Sequence, residues 1–528
     1  MNKLIVAAAA VSVAVMVAEA DVRLAPVFGD KMVLQRDMPV RVWGYADPRE
    51  MVVVRFADQK KTVVASDDGT WQVELDAMPA SCEGRPLTVT GAKPDSAHWL
   101  NGFGLWASRN ATNEETIEDV LVGEVWFCAG QSNTDCPIWG GGPRYRDGQG
   151  ALLLQMTKRP LVRLVKTPLA WTEAPKMGVK AVWREMTPEL YEAYKKGVRM
   201  PSAMGYCYAL ELYNALQIPV GLVDSSWGGT NIDAWTPRSG LATRPDLKDV
   251  ADLPILDASA FKKAREKGGA YAGKGIYGSP QQQPTVLWNG MVAAYAPMAI
   301  RGFIWYQGCH NAGEYQRYCS KMHALYNGWA AEFRNPALKL YFVQLAPWGN
   351  AGIANIQEAQ AQFAAEEPNS GMAVINDVGN LVDIHPNDKR TVARRLAVHA
   401  LRRDYGYESL RANSPTLKAW KIDGAKFRLT FNDVDGWYVY NPDRSVQTGF
   451  EIAGADGKFV PAKIENLAWG KGRDGKPKCD GNIVGAELVV SADGVAAPKK
   501  LRYLYSRPWF GCLYSESCLP LGAFHIGE

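Results

Sequence analysis

A serine stands at the end of one of the most apolar stretches of this chain. Val125-Trp-Phe-Cys-Ala129 reads as a buried strand, and it stops at Gly130-Gln-Ser-Asn133. A hydroxyl at the carboxyl end of such a strand sits where open α/β sheets place their ligands. Catalysis by a serine nucleophile needs that hydroxyl held on a turn, with a base and oxyanion donors arriving from elsewhere. The turn is not the G-x-S-x-G elbow, because Thr134 stands where the second glycine would be. Alone, Gly-Gln-Ser-Asn is more often an ordinary turn.

The rest of the chain raises the odds. Val220–Asp224 reads as a second buried strand and runs into Ser225-Ser-Trp-Gly-Gly-Thr-Asn-Ile-Asp-Ala-Trp235. Ile300–Tyr306 is followed by Gln307-Gly-Cys-His-Asn-Ala312, and Met372–Asp377 leads into Val378-Gly-Asn-Leu-Val-Asp-Ile-His-Pro386. Acyl transfer asks for a nucleophile, a base, an orienting acid and oxyanion donors. Ser132 supplies the first, and His385 with a neighbouring carboxylate the next two. The backbone N–H of Gly229 and the side-chain amide of Asn311 are the candidate oxyanion donors.

Elements able to position these loops are legible around them. Between about 120 and 408, buried strand candidates, including Leu340–Leu345, alternate with helical patterns at Ala203–Leu216 and Asp388–Arg403. Such alternation predicts a three-layer α/β domain with a largely parallel sheet. Residues 239–284 are polar and Gly-rich and read as an insertion. Upstream, 21–119 carries short β-rich runs such as Met51–Phe56 and Trp71–Leu75, expected to form a sandwich or jelly roll. Downstream, 409–528 returns to β-like runs, Lys426–Phe431, Gly449–Ile452 and Glu487–Val490, and reads as a third, β-rich section.

Composition narrows the function classes. With 59 basic and 55 acidic residues the net charge is only +4, which argues against a nucleic-acid or polyanion binder. Lys3, the apolar run Leu4–Val17 and Ala18-Glu-Ala20 read as a signal peptide over 1–20. The mature chain is expected to begin near Asp21 and to be periplasmic or extracellular. No other segment is apolar enough for a membrane span. The nine cysteines are scattered, with Cys512 and Cys518 close enough for a small disulfide loop. Neither C-x-x-C nor H-E-x-x-H occurs, so no metal or other cofactor is expected.

Taken in order, Gly130-Gln-Ser-Asn133, Trp227-Gly-Gly-Thr230 with Ala234-Trp235, Trp305-Tyr-Gln-Gly308 with Asn311, and Asp383-Ile-His-Pro386 resemble the blocks of SGNH hydrolases. Within them the chain is similar to the sialate O-acetylesterases and related carbohydrate acetylesterases. The likeness reaches from Pro26-Val-Phe-Gly-Asp-Lys-Met-Val-Leu-Gln-Arg36 to Leu501-Arg-Tyr503, nearly all of the mature chain. It implies Ser132 as nucleophile, His385 as base, and Gly229, Asn311 and the Ser132 N–H as the oxyanion hole. Gln131, Trp227 and Gln307, within these blocks, are the expected substrate contacts.

Two departures from the family's pattern stand out. The family's acid usually lies three residues before the histidine, where this chain has Val382. Asp383 is the expected replacement, Asp377 competes with it, and a Ser–His pair oriented by a backbone carbonyl is a further option. The third block usually reads Gln-Gly-Glu-Ser-Asn, but here the two middle residues are Cys309 and His310. The implied activity is removal of O-acetyl groups from a carbohydrate, sialate 9-O-acetyl esters first. The alternatives are acetylxylan or another acetylated glycan, or a sugar-binding protein that has lost turnover. The other histidines, His98, His323, His399 and His525, have no motif around them.

Overall fold

The computed structural model describes residues 22–92, 113–138, 159–187, 190, 193, 196–273, 275–348, 351–379, 383–440, 448–471, 477–505 and 511–527. The expected signal peptide, 1–20, and His98 lie outside them. Two compact units divide the chain: residues up to 25 with 42–75 and 87–116, and residues 26–41 and 76–86 with 117–528.

In the smaller unit the regular elements among the described residues are strands. Met51–Phe56 pairs antiparallel with Gln59–Val64 and with residues 87–92. Val52, Val54 and Phe56 are buried, as are Trp71, Val73 and Leu75 of Thr70–Leu75, while most of their neighbours in sequence are more exposed. This is the period-two pattern of a strand with one covered face.

The larger unit is mixed α/β. Its central sheet contains β1 (Asn113–Gly130, of which residues 117–130 belong to this unit), β2 (Arg159–Lys166), β3 (Arg184–Met186), β4 (Val220–Ser226), β5 (Gly302–Tyr306), β6 (Lys339–Val343) and β7 (Ser370–Ala373). The spatial order is β3-β2-β4-β1-β5-β6-β7, parallel throughout except for β3 on β2. Residues 120–130 of β1 and all of β4 and β5 are buried, which explains why they read as unbroken apolar runs rather than alternating ones. The expected strand over Met372–Asp377 is shorter, ending at Ala373. Its tail turns instead, with Val378 N–H donating to the Ile375 carbonyl at 3.1 Å.

Helices among the described residues include α1 (Ser132–Asp135), α2 (Ala203–Leu216), α3 (Arg238–Leu241), α4 (Lys248–Ala251), α5 (Ala258–Glu266), α6 (Tyr315–Glu332), α7 (Ala351–Glu366) and α8 (Lys389–Asp404). Helix α2 packs on α8, and α6 on α7. Ser202 caps α2 by accepting from Gly205 N–H, and Asp388 caps α8 by accepting from Thr391 N–H. Such caps contribute about 1 kcal/mol each. The stretch 239–284 is folded, with small cores around Leu241, Leu247 and Val250 and around Phe261, Tyr271 and Tyr277. From Thr416 onward three four-stranded antiparallel sheets enclose a core that includes Phe431, Trp437, Phe450 and Leu501. No disulfide joins Cys512 to Cys518; the Cys512 thiol donates to the Thr448 carbonyl.

Candidate active site

Register brings three of the four loops together. Gly130 of β1 lies opposite Ser226 of β4 and Tyr306 of β5. Gln131, Trp227 and Gln307 therefore leave the sheet side by side, at the place where the strand order reverses. The chain goes from β1 to β2 and β4 on one side and to β5, β6 and β7 on the other.

The serine turn is held tightly. Gly130 has φ +141°, and a Cβ there would lie 2.4 Å from the Tyr306 carbonyl oxygen, so a side chain is excluded. Gln131 N–H and the Thr134 hydroxyl both donate to that same carbonyl, at 3.1 Å each. Asn133 Nδ2 donates to the Ile384 carbonyl at 3.1 Å, and Asn133 Oδ1 accepts from Lys389 Nζ at 2.5 Å. The buried Lys389 ammonium also faces the Tyr306 ring, 5.6 Å from its centroid. Asn133 thus ties the serine turn to the histidine loop. On the other flank, Lys166 of β2 donates to Asp135, Asp224 and Ser226, fixing the end of α1 to β4.

His385 Nε2 is 2.9 Å from Ser132 Oγ, and His385 Nδ1 is 2.9 Å from Asp383 Oδ1. A carboxylate only accepts, so Nδ1 carries the proton and Nε2 is left to accept from the serine hydroxyl. Asp383 Oδ1 also accepts from His385 N–H at 3.0 Å, which closes the short loop on itself. Asp377, the competing acid, is committed elsewhere. Both its oxygens pair with Arg395, at 2.6 and 2.7 Å.

The third loop carries an amide that is only half satisfied. Asn311 Oδ1 accepts from Ile232 N–H at 3.1 Å and from Gln307 Nε2 at 2.8 Å. Two donors on one atom fix which end of the amide is oxygen. The remaining atom, Asn311 Nδ2, is buried with no hydrogen-bond partner. An orphaned buried donor is costly, of order 1–3 kcal/mol, and is a common mark of a functional site. The Gly228–Gly229 turn abuts the serine, since a Cβ on Gly228 would be 3.4 Å from Ser132 Cβ. Gly229 has φ +70°, and its carbonyl accepts from Gln282 Nε2 at 2.6 Å.

Gln307, expected to touch substrate, is held by its neighbours in this structure. It is fully buried, and its amide is spent on Asn311, the Thr230 carbonyl and the Tyr318 hydroxyl. Gln131 is buried as well, and its Oε1 accepts from Gly308 and His310 N–H at 3.4 Å each. Both act on the third loop. Trp227 is partly exposed beside them. His310 Nε2 meets the Ile276 carbonyl at 3.0 Å, and Asn231 Nδ2 donates to that carbonyl at 3.1 Å. The 239–284 stretch thereby buttresses the second and third loops through Ile276 and Gln282, a role nothing in its composition announced. Lys389 and Asn133 were equally hidden, for their meaning lies in a contact 256 residues apart in sequence. Burial pushes the Cys309 thiol up to about 12, so it stays neutral. His399 is buried and donates to the Met372 carbonyl, while His323 and His525 pair with Glu366 and Glu358.

Comparison with known proteins meets this geometry. The family model of carbohydrate esterases described as sialic acid-specific acetylesterase matches residues 270–401, the stretch holding Gln307, Asn311, Asp383 and His385. Sialate O-acetylesterase of Rattus norvegicus is 28% identical over 436 residues, 75% of this chain and 76% of that protein. The Homo sapiens sialate O-acetylesterase is 27% identical over 88% of this chain and 86% of its own. A carbohydrate acetylesterase from Xanthomonas citri superposes with a TM-score of 0.75 at 30% identity, covering 96% of this chain and 99% of that one. With likeness of this extent in sequence and in fold, the chain belongs to the family of carbohydrate esterases, carboxylic ester hydrolases, that includes the sialate O-acetylesterases.

Proposed function

We propose that this chain is an exported serine esterase that removes O-acetyl groups from sugars, sialate 9-O-acetyl esters first, on an SGNH-type three-layer α/β/α domain. The hydrogen-bonded series Ser132–His385–Asp383 carries the reading. Ser132 Oγ attacks the acetyl carbonyl as His385 Nε2 takes its proton, and Asp383 holds the imidazole and stabilises the imidazolium that forms. The tetrahedral oxyanion is received by Asn311 Nδ2 and the N–H groups of Gly229 and Ser132. Asn311 Nδ2, unpartnered in the resting site, gains a partner only when that charge develops. The sugar alcohol leaves with the proton from His385, and water then releases acetate from Ser132 by the same steps in reverse.

The sugar is assigned by similarity to the sialate O-acetylesterases. Export rests on the 1–20 segment alone; among the described residues no helix is long and apolar enough to cross a membrane. The test is acetate release from a panel of 9-O-acetylated sialosides, acetylated xylan and a simple aryl acetate. We expect the sialosides to give the highest kcat/KM. A preference for acetylated xylan would move the substrate while leaving the esterase mechanism, and no release from any member would remove both.

A further inference from the structure

We propose that Cys319, His323 and Glu366 form a binding site for a divalent transition-metal ion of the zinc class, clipping helix α6 to helix α7. Cys319 and His323 are four residues apart on α6, and Glu366 closes α7. Residues four apart lie on one helix face. Among the described residues, these three hold a thiol sulfur, an imidazole nitrogen and a carboxylate oxygen that all lie within 4.8 Å of one another. Sulfur, nitrogen and carboxylate oxygen form the mixed donor set that zinc accepts. A sequence scan misses this site because its third donor comes from another helix, 43 residues beyond His323.

Two of the three donor separations are close to those of a filled site. Cys319 Sγ lies 3.6 Å from Glu366 Oε2, and His323 Nε2 lies 2.8 Å from the same oxygen. Tetrahedral zinc, with bonds of ~2.0–2.3 Å, spaces its donor atoms roughly 3.3–3.7 Å apart. The sulfur–oxygen separation already fits, and the nitrogen–oxygen separation must open by about half an ångström. The mobile partner can supply it, since the Glu366 side chain is 47% exposed while that of His323 is 14%. The imidazole is steadied edge-on against Phe363, with ring centroids 4.7 Å apart.

Without an ion the three side chains share hydrogen bonds, the Cys319 thiol and the His323 imidazole both donating to Glu366 Oε2. A divalent cation takes the place of those shared protons, forming a bond to sulfur and releasing the thiol proton to solvent, so affinity rises with pH. The clip bears on the rest of the molecule through α7. Gln360 on that helix donates to the Gln307 and Val343 carbonyls, directly behind the loop that carries Asn311.

The site goes beyond the esterase reading, and its test is independent of hydrolysis. The full chain, without a polyhistidine tag and stripped of metal by chelator, is titrated with Co2+ under reducing conditions. We expect one equivalent to bind with a thiolate-to-cobalt charge-transfer band. Zn2+ should abolish that band by displacement and raise the Tm. Cys319→Ser should remove the band, and His323→Gln and the surface change Glu366→Gln should each weaken binding at least tenfold. Far-ultraviolet circular dichroism checks that each variant is folded. Absence of the band in wild type, or its persistence in Cys319→Ser, overturns the proposal. So does unchanged affinity in a folded Glu366→Gln variant.

Discussion

The two sides of the Ser132 site are built differently. On one side Gln131, Thr230, Gln307 and Asn311 are buried, and hydrogen bonds fix each of them to neighbouring loops or strands. On the other, Asp383 and His385 sit on a short loop after β7, with side chains 21% and 13% exposed. That loop reaches the serine turn through Asn133 on Ile384 and is followed directly by the Asp388 cap of α8. The first side is a fixed arrangement of dipoles, costly to assemble and needing no rearrangement when charge appears. Under the proposed mechanism the second changes partners during a proton transfer, and partial exposure leaves it room to do so. Mutations on the two sides should therefore fail in different ways.

The largest effect belongs to the atom both sides serve. Ser132→Ala should lower kcat by ~10⁵-fold or more, as loss of the nucleophile does elsewhere. Its Tm should stay close to wild type, since Ser132 is at the surface of its turn and only one hydroxyl is lost. Acetate release near the wild-type rate would end the serine mechanism.

Asp383→Asn comes next and separates the two carboxylates that compete in sequence. An amide at Asp383 can donate to Nδ1 and favour the wrong tautomer, so kcat should fall by ~10³–10⁴-fold with little change in stability. Asp377→Asn should do the reverse. It strands Arg395, which is largely buried, and should cost a few kcal/mol of stability while activity stays within a few-fold of wild type. Equal losses of activity would mean that the histidine is not oriented by Asp383.

Asn311→Ala probes the fixed side. Loss of one oxyanion donor typically costs 10²–10³-fold in kcat, ~3 kcal/mol, with KM little changed. It also strips acceptors from Ile232 N–H and Gln307 Nε2, so a fall in Tm should accompany the fall in rate. A loss confined to KM would place Asn311 among substrate contacts rather than in the oxyanion hole.

How much of this could be read from the chain depends on where each residue finds its partner. β1, β4 and β5 were legible because both their faces are covered and their apolar runs are unbroken. β2 was not, because Arg159-Pro-Leu-Val-Arg-Leu-Val-Lys166 looks too charged for a central strand. Arg163 is buried there with Asp119 among its partners, and Lys166 with Asp135 and Asp224. Helix α7 hides in the same way, with the Gln357 and Gln360 amides turned inward to donate to the Leu345 and Val343 carbonyls where an apolar stripe would be sought. Ser132, Asn311, Asp383 and His385 could be singled out by chemistry and order. The bonds Gln307 makes to its neighbours were not legible, because a glutamine in such a loop looks the same in sequence whether it faces a ligand or holds its neighbour.

The smallest effect is expected at Cys309, where this chain departs from the third-block pattern of the family it resembles. The loop is held without a carboxylate at that position: Gln131 binds the Gly308 and His310 amides, and His310 binds the Ile276 carbonyl. Burial keeps the Cys309 thiol neutral, and Lys389, the nearby cation, already serves Asn133. A glutamate introduced there would have to be desolvated, and its natural partner could be won only by releasing the Asn133 link to the histidine loop. Cys309→Glu should therefore lower kcat/KM by less than about tenfold, with part of the loss arising on the acid–base side. A glutamate that instead raised kcat/KM a hundredfold, ~2.7 kcal/mol of transition-state stabilisation, would show a fixed side that is not fixed in the natural chain. The difference between the two sides would then vanish, and the chain would be an esterase held below its capacity by one thiol.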